Sequence, residues 1–255
     1  MKSISIMGCG WLGLPLAEKL VELGYTVKGS TTSQDKIAVL ESKNIQPYLI
    51  PKGALHITPS DFFESDIIFI NVPPRNTPDD PEFHEKNMKA VRFQIPNDKK
   101  IIFISSTAVY PSTNLEVNEE DASEECLSRG GVSLLKIENI FTSDHCTVLR
   151  LGGLYGGDRH PGRFLSGKTI GGRDNAINMT HLDDAIQVIL HILDQERWGE
   201  VFNACSPIHP SKEQFYVEAA KELGVPAPIF TDEEVDFKIV NSDKLIEAIE
   251  YRFQH

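Results

Sequence analysis

Gly8, Gly10 and Gly13 stand at the spacing with which a turning chain cradles phosphate, and their flanks give that spacing meaning. Ser3-Ile4-Ser5-Ile6-Met7 before them reads as a short strand. Leu12, Leu14, Leu16, Ala17, Leu20, Val21 and Leu23 after them recur at helical spacing, up to Gly24. The first glycine permits a tight turn, the second removes the Cβ that would hold a pyrophosphate off the backbone, and the third lets helix and strand pack closely. The helix start adds unpaired N–H groups and the positive end of a dipole. The chemistry predicted is dinucleotide binding, with Gly8, Gly10, Trp11, Leu12 and Gly13 along the phosphates. A purely structural strand-to-helix turn is the weaker reading.

The type of dinucleotide is read about 20 residues further on, where an NAD site usually carries a carboxylate for the ribose 2′-hydroxyl. Here the chain runs Lys28-Gly29-Ser30-Thr31-Thr32-Ser33, with no acid before Asp35. Hydroxyls of Ser30, Thr31, Thr32 and Ser33 beside a helix start, with Lys36 near, suit a 2′-phosphate. NADP is therefore favoured over NAD, although the arginine usual at such a site is missing.

Ligands of open α/β sheets bind at the carboxyl ends of the strands. One strand ends at Val72-Pro73-Pro74, where proline can neither donate to the ladder nor continue it. Another ends Ile104-Ser105-Ser106-Thr107-Ala108-Val109-Tyr110-Pro111. Val72, Pro73 and Ser105 are expected beside the cofactor. Ser106 and Thr107 are expected either to orient a substrate or to satisfy strand-end backbone groups.

The elements that must position these residues alternate. Strands are predicted at Ser3–Met7, Thr26–Gly29, Gln46–Ile50, Asp66–Val72, Ile101–Ser105 and Thr147–Leu151, with helices at 12–23, 33–42, 82–93 and 131–142. Such alternation implies an α/β fold, a Rossmann-type doubly wound parallel sheet covered on both faces. After about residue 152 glycines punctuate a loop-rich stretch. Thr180 then stands where it would cap an amphipathic helix bearing Leu182, Ala185, Ile186, Ile189, Leu190 and Leu193. A strand at Val201–Ala204 and helices near 211–223 and 242–250 follow. The division expected is a dinucleotide-binding domain over 1–152 and a small C-terminal α/β lobe over 153–255, with strands open to sharing.

A net charge of −12 argues against nucleic-acid or anionic-membrane surfaces. The acidic run Glu116 to Glu125 reads as a solvated loop. Cys9, Cys126, Cys146 and Cys205 have neither disulfide nor zinc spacing and suit a reducing compartment, and no metal site is expected. With no membrane-length apolar run and a strand starting at the third residue, a cytoplasmic location is expected.

The chain from Ile104 to Pro111 resembles the strand end of the extended short-chain dehydrogenase/reductases, the nucleotide-sugar epimerases and dehydratases. Three further segments match in order: Leu149-Arg150-Leu151-Gly152-Gly153-Leu154-Tyr155-Gly156, Asn178-Met179-Thr180-His181-Leu182-Asp183-Asp184-Ala185, and Gly199-Glu200-Val201-Phe202-Asn203-Ala204. The resemblance implies hydride transfer with a nicotinamide cofactor on a small polar substrate, a nucleotide sugar being one class. It places Ser106, with Thr107 beside it, on the reacting oxygen. Arg159, Arg163 and Lys168 are near enough in sequence to meet an anionic group. Family members often pair as homodimers, although no helix here announces an interface.

The family's acid/base tyrosine, four residues before a lysine, is missing. The corresponding helix reads Arg129-Gly130-Gly131-Val132-Ser133-Leu134-Leu135-Lys136-Ile137-Glu138. Anchoring on Lys136, the position implied to bind the nicotinamide ribose, puts Val132 in the tyrosine's place. Anchoring on Glu138 puts Gly130 there and Leu134 at the lysine. Tyr48–Lys52, the only pair with that spacing, contains Pro51 and falls too early. Tyr155 is the best substitute, with His181 expected to cap or pack, Tyr110 to pack beside its strand, and His160 a remaining candidate. An enzyme of atypical type is the leading reading. A non-catalytic NAD(P)-binding sensor or scaffold is the alternative, and use of a different nucleotide is the least favoured.

Overall fold

Continuous apolar runs become the middle of the sheet. The computed structural model describes residues 2–74, 80, 82–124 and 128–255; Glu125 and Cys126 lie outside the described residues. Strands β1 (Ser3–Met7), β2 (Thr26–Thr31), β3 (Gln46–Leu49), β4 (Ile67–Ile70) and β5 (Lys100–Ser106) are interleaved with helices α1 (Gly13–Glu22), α2 (Lys36–Ser42) and α3 (Phe83–Gln94), and α4 (Arg129–Phe141) follows β5. Two more strands, Cys146–Leu151 and Val201–Ala204, complete seven, in the order Val201–Ala204, Cys146–Leu151, β5, β4, β1, β2, β3. The pairings from β3 through to β5 are parallel. The order reverses between β1 and β4, and the glycine turn leaves β1 at this switch point, where doubly wound sheets bind ligands.

Local chemistry explains why the elements hold. Ile67, Ile68, Phe69 and Ile70 of β4 are all buried, as a strand covered on both faces requires. Ser5, a polar residue inside β1, is fully buried, and its hydroxyl is satisfied by the Phe62 carbonyl and by Ser65 Oγ at 2.8 Å. Leu16, Ala17 and Leu20 form the fully buried stripe of α1.

Val201–Ala204, in the stretch whose strands were open to sharing, is the edge strand of the main sheet, with Phe202 and Ala204 wholly buried. One expectation is corrected. Thr180, expected as a helix cap, is a fully buried strand residue. Its Oγ1 donates to the Ala204 carbonyl at 2.5 Å and accepts from the Gly152 N–H at 2.9 Å. The cap of α5 (Leu182–Asp194) is His181, whose Nδ1 accepts from the Asp183 N–H at 3.2 Å. A cap must be the last extended residue before the helix, and that residue is His181.

By compactness the chain forms two units, each drawn from three separate stretches rather than divided at one point such as residue 152. The first comprises Met1–Ser105, Ser128–Leu149 and Glu196–Val201; the second comprises Ser106–Leu127, Arg150–Gln195 and Phe202–His255. The second unit carries α5, α6 (Lys212–Leu223) and α7 (Asp243–Ile249). Three short parallel strand pairs accompany them: Gly153–Tyr155 with Met179–His181, Thr169–Ile170 with Ile229–Phe230, and Glu116–Val117 with Ile239–Val240. No helix among the described residues is long and apolar enough to cross a membrane.

Burial of His84 on α3 has a measurable consequence. Its side chain is 3% exposed, and desolvation pushes its pKa down to about 4. The native state therefore holds this imidazole neutral while the unfolded chain protonates near 6.5. The contribution to stability is complete above pH 6.5 and is lost as pH falls toward 4, by about 3 kcal/mol at most. Urea unfolding at pH 7.0 and 4.5 is expected to show this loss, and His84→Gln is expected to remove most of the pH dependence.

Candidate functional site

The glycine turn is built from contacts that leave one of its three glycines free. Gly8 has φ +108°, and a Cβ there would stand 2.3 Å from the Asn71 carbonyl oxygen. A Cβ on Gly13 would stand 2.1 Å from the Gly8 carbonyl oxygen and 3.2 Å from the Ile6 side chain. Nothing lies within 4 Å of the corresponding point on Gly10, which is exposed. Close packing accounts for the first and third glycines; the second faces open space. Trp11 is half-buried, and Leu12 is buried at the helix boundary, where no side chain caps α1. Of the backbone groups at this helix start, the Leu14 N–H donates to the Gly10 carbonyl at 3.0 Å, and Pro15 has no N–H.

At the end of β2 two of the four hydroxyls are already used. Ser30 Oγ accepts from the Gly8 N–H at 2.9 Å, while the Ser30 carbonyl accepts from the Cys9 N–H at 2.9 Å. Thr31 Oγ1 accepts from the Ser33 N–H at 3.2 Å. Ser30 and Thr31 are buried and shape the turn, whereas Thr32 is exposed and Ser33 half-buried. Burial pushes the Cys9 thiol up to about 12, opposed by the charge of Lys36, which is exposed at the start of α2. Val72 and Pro73, half-buried and exposed, follow Asn71, whose N–H donates to the Met7 carbonyl at 2.9 Å. The structure thus brings Gly8, Ser30 and the β4 exit together.

The end of β5 meets α4 through an acid. Ser105 is buried and its hydroxyl donates to Glu138, itself 2% exposed. Ser105 Oγ is thereby engaged within the protein. Glu138 marks the helix face turned to the sheet, and Leu134, one turn earlier and 6% exposed, shares it. Lys136 is exposed, about 200° around the helix from Glu138. In the register anchored on Glu138, the buried Leu134 stands where the resembling family has its lysine and Gly130 where it has its tyrosine. Lys136, expected beside the cofactor, lies away from this face.

In the second unit, Ser106 Oγ accepts from the Ala108 N–H at 3.2 Å as the cap of a short helical turn, and Ser106 remains half-buried. Thr107 is buried at 9% exposure. Tyr110 is engaged on all sides: Arg150 Nη1 donates to its hydroxyl at 2.6 Å, and that hydroxyl donates to Asn203 Oδ1 at 2.7 Å. Burial, though offset by Arg150, raises its pKa to about 12, and it serves packing. Arg150 also donates to the Glu119 carbonyl at 3.0 Å, and Glu119 Oε1 accepts from the Asn203 N–H at 2.7 Å. The acidic run is therefore not wholly solvated: Glu119 is half-buried in this network.

The remaining acid/base candidates are placed as follows. Tyr155 is half-buried, its ring edge-on to His181 and to Phe215 at centroid distances of 4.9 and 5.5 Å. Burial first, and the charge of Asp184 second, raise its pKa. His181 caps α5, as its position suggested, and burial depresses its pKa. His160 Nδ1 accepts from the Gly162 N–H at 3.1 Å, another cap. Arg159, Arg163 and Lys168 are exposed, and Lys168 donates to the Phe164 carbonyl at 2.9 Å. Tyr48 is held by Asp61 and Gln46 within the first unit, consistent with a structural role.

Asp184 is the residue whose role sequence reasoning missed, although it lies in a quoted motif. It is 1% exposed and accepts from Tyr251 Oη at 2.6 Å, the Gln254 N–H at 2.9 Å, the His255 N–H at 3.1 Å and His255 Nδ1 at 3.2 Å. The partners are up to 71 residues away, so no local pattern announces them.

Residues 3–90 match the family model described as NADP oxidoreductase, coenzyme F420-dependent. Protein YeeZ of Escherichia coli K12 is 32% identical over 269 residues, covering 100% of this chain and 97% of that protein. Among solved structures, UDP-glucuronic acid 4-epimerase from Bacillus cereus, in complex with NAD, is similar with a TM-score of 0.80 at 20% identity, over 99% of this chain and 94% of that one. UDP-N-acetylglucosamine 4-epimerase from Bacillus cereus is similar with a TM-score of 0.76 at 18% identity, over 100% and 92%. The fold is the Rossmann-type α/β fold shared with these solved epimerases, and the helix after β5 carries no Tyr–Lys pair. The chain belongs to the family of protein YeeZ.

Proposed function

We propose that the chain binds a pyridine dinucleotide, NADP in preference to NAD, for hydride transfer on a small polar substrate such as a nucleotide sugar. The observation that carries the reading is Gly10: an open point beside an uncapped helix start, flanked by two glycines that packing alone explains. Gly8 to Gly13 would hold the pyrophosphate, and the N–H groups at the start of α1 would face its charge. Thr32, Ser33 and Lys36 are the groups left to meet a 2′-phosphate, Ser30 and Thr31 being spent on the turn. When bound, the nicotinamide supplies a hydride acceptor or donor. Ser106 and Thr107 would orient the reacting oxygen, and the epimerases above support the substrate class.

Calorimetric titration with NADPH, NADH and their oxidised forms tests this. NADPH is expected to bind at least about tenfold more tightly than NADH, a difference of about 1.4 kcal/mol, and Lys36→Glu is expected to erase the preference. Equal or reversed affinities overturn the NADP assignment. Absence of binding by any form overturns the reading itself.

A second reading, a cofactor-binding sensor or scaffold without turnover, draws on α4 and Tyr155. Leu134 is buried where the lysine would stand, and Tyr155 has its pKa raised rather than lowered. A positioned acid or base is worth about 10²–10⁴-fold in rate, and no tyrosine on α4 provides it. Substrate-dependent nicotinamide turnover that falls in Ser106→Ala favours the enzyme; tight binding with no turnover favours the sensor.

A further inference from the structure

The second unit gathers two histidines and an aspartate that the nucleotide reading does not use. His181 and Asp183 stand at the cap and in the first turn of α5, with His181 Nδ1 3.8 Å from Asp183 Oδ2. His255 lies over His181, ring centroids 3.8 Å apart and planes inclined by 21°. One donor atom from each of the three falls within 4.8 Å of the others. We propose that His181, Asp183 and His255 form a binding site for a divalent transition-metal ion of the zinc type.

The donor chemistry is that of such ions, since imidazole nitrogens with a carboxylate oxygen suit zinc, copper, nickel and cobalt. Metal–ligand bonds of about 2.0–2.2 Å set tetrahedral ligands roughly 3.3 Å apart, so the three donors have little distance to close. Asp183 and His255 are the two that must move, with side chains 68% and 42% exposed, and His255 must also turn its ring edge toward the ion out of its stack on His181. His181 is the fixed member. Its Nε2 is turned against Gly156, where even a Cβ would stand only 2.4 Å from it, which leaves Nδ1 as the nitrogen on the Asp183 side. Binding there exchanges the 3.2 Å cap hydrogen bond from the Asp183 N–H for a metal bond.

The surroundings supply the outer support such sites need. Asp184, buried, accepts from His255 Nδ1 at 3.2 Å, the carboxylate-behind-histidine arrangement that orients metal ligands. Tyr155 packs edge-on against His181 with ring centroids 4.9 Å apart. Three protein ligands leave one tetrahedral position for solvent, and the exposure of Asp183 and His255 leaves it accessible.

The test uses the full chain freed of any histidine tag and ZnCl2 alone, without nucleotide, so that its outcome is independent of dinucleotide binding. Calorimetry is expected to show one saturable zinc per chain, and Co²⁺ is expected to give the visible absorption of a tetrahedral nitrogen and oxygen site. His255→Gln and Asp183→Asn, both at exposed side chains, are expected to abolish the event. His181→Asn, which preserves a capping side chain, is expected to do the same, whereas His56→Gln at an exposed position elsewhere leaves it intact. Absence of saturable binding overturns the proposal. So does stoichiometric binding that survives in His255→Gln and Asp183→Asn, which would assign the ion to other histidines.

Discussion

Gly10→Ala is expected to melt within about two degrees of the unaltered chain and to bind NADPH at least about tenfold more weakly, while Gly13→Ala is expected to melt several degrees lower. The contrast follows from what each new methyl meets. At Gly13 it would stand 2.1 Å from a backbone oxygen and 3.0 Å from the carbon bearing it, and backbone cannot swing aside as a long side chain can. Overpacking of this kind typically costs about 1–3 kcal/mol and here displaces the turn itself, a large share of the roughly 5–15 kcal/mol by which domains are stable. Gly8→Ala adds the strain of φ +108° to a 2.3 Å clash with Asn71. At Gly10 the methyl meets no protein atom within 4 Å, so folding is spared. Only a ligand drawn close to the backbone would feel it. Thermal unfolding and NADPH calorimetry on the three variants separate the two effects. A Gly10→Ala chain that binds NADPH normally would show that the pyrophosphate does not approach this point.

Asp184→Ala is expected to destabilise the protein by about 2–4 kcal/mol and to release residues 254 and 255. The carboxylate is buried and accepts four hydrogen bonds, two from backbone N–H groups. Bonds to a charged group contribute about 1.5–3 kcal/mol each, and donors left buried without an acceptor add their desolvation. The sum is held down because His255 is 42% exposed on its side chain and recovers water on release, whereas Tyr251 at 8% exposure does not. Urea midpoints are expected to fall, and amide exchange at Gln254 and His255 to quicken. Asp184→Asn is expected to be intermediate, because one oxygen remains an acceptor while the new amide turns donors toward donors. Protection of residues 254 and 255 persisting in Asp184→Ala would assign the tie to other contacts.

Much of the fold was legible because strand and helix periodicities are local. The five leading strands and the helices between them fall where the apolar spacing puts them. Legibility ended where a residue's environment is set by distant chain. Thr180 has a capping side chain in the right neighbourhood, yet its hydroxyl is drawn to Ala204 and Gly152. Val201–Ala204 reads as a strand but carries no mark of which sheet it joins. Glu119 looks like one acid among many until Asn203 and Arg150 close on it.

The candidate site divides along the same line. Spacing and residue type alone determined the glycine turn and the absence of an acid near the end of β2, because each depends only on neighbours in sequence, and the family resemblance marked the missing tyrosine on α4. The tertiary structure decided which groups remain available. It committed Ser30 to the Gly8 N–H, turned Lys136 outward and Glu138 inward, left Gly10 facing open space, and brought His255 onto His181 and Asp184. A side chain's chemistry is written in its type, but its freedom to act depends on which donors and acceptors folding places beside it, and those come from anywhere in the chain.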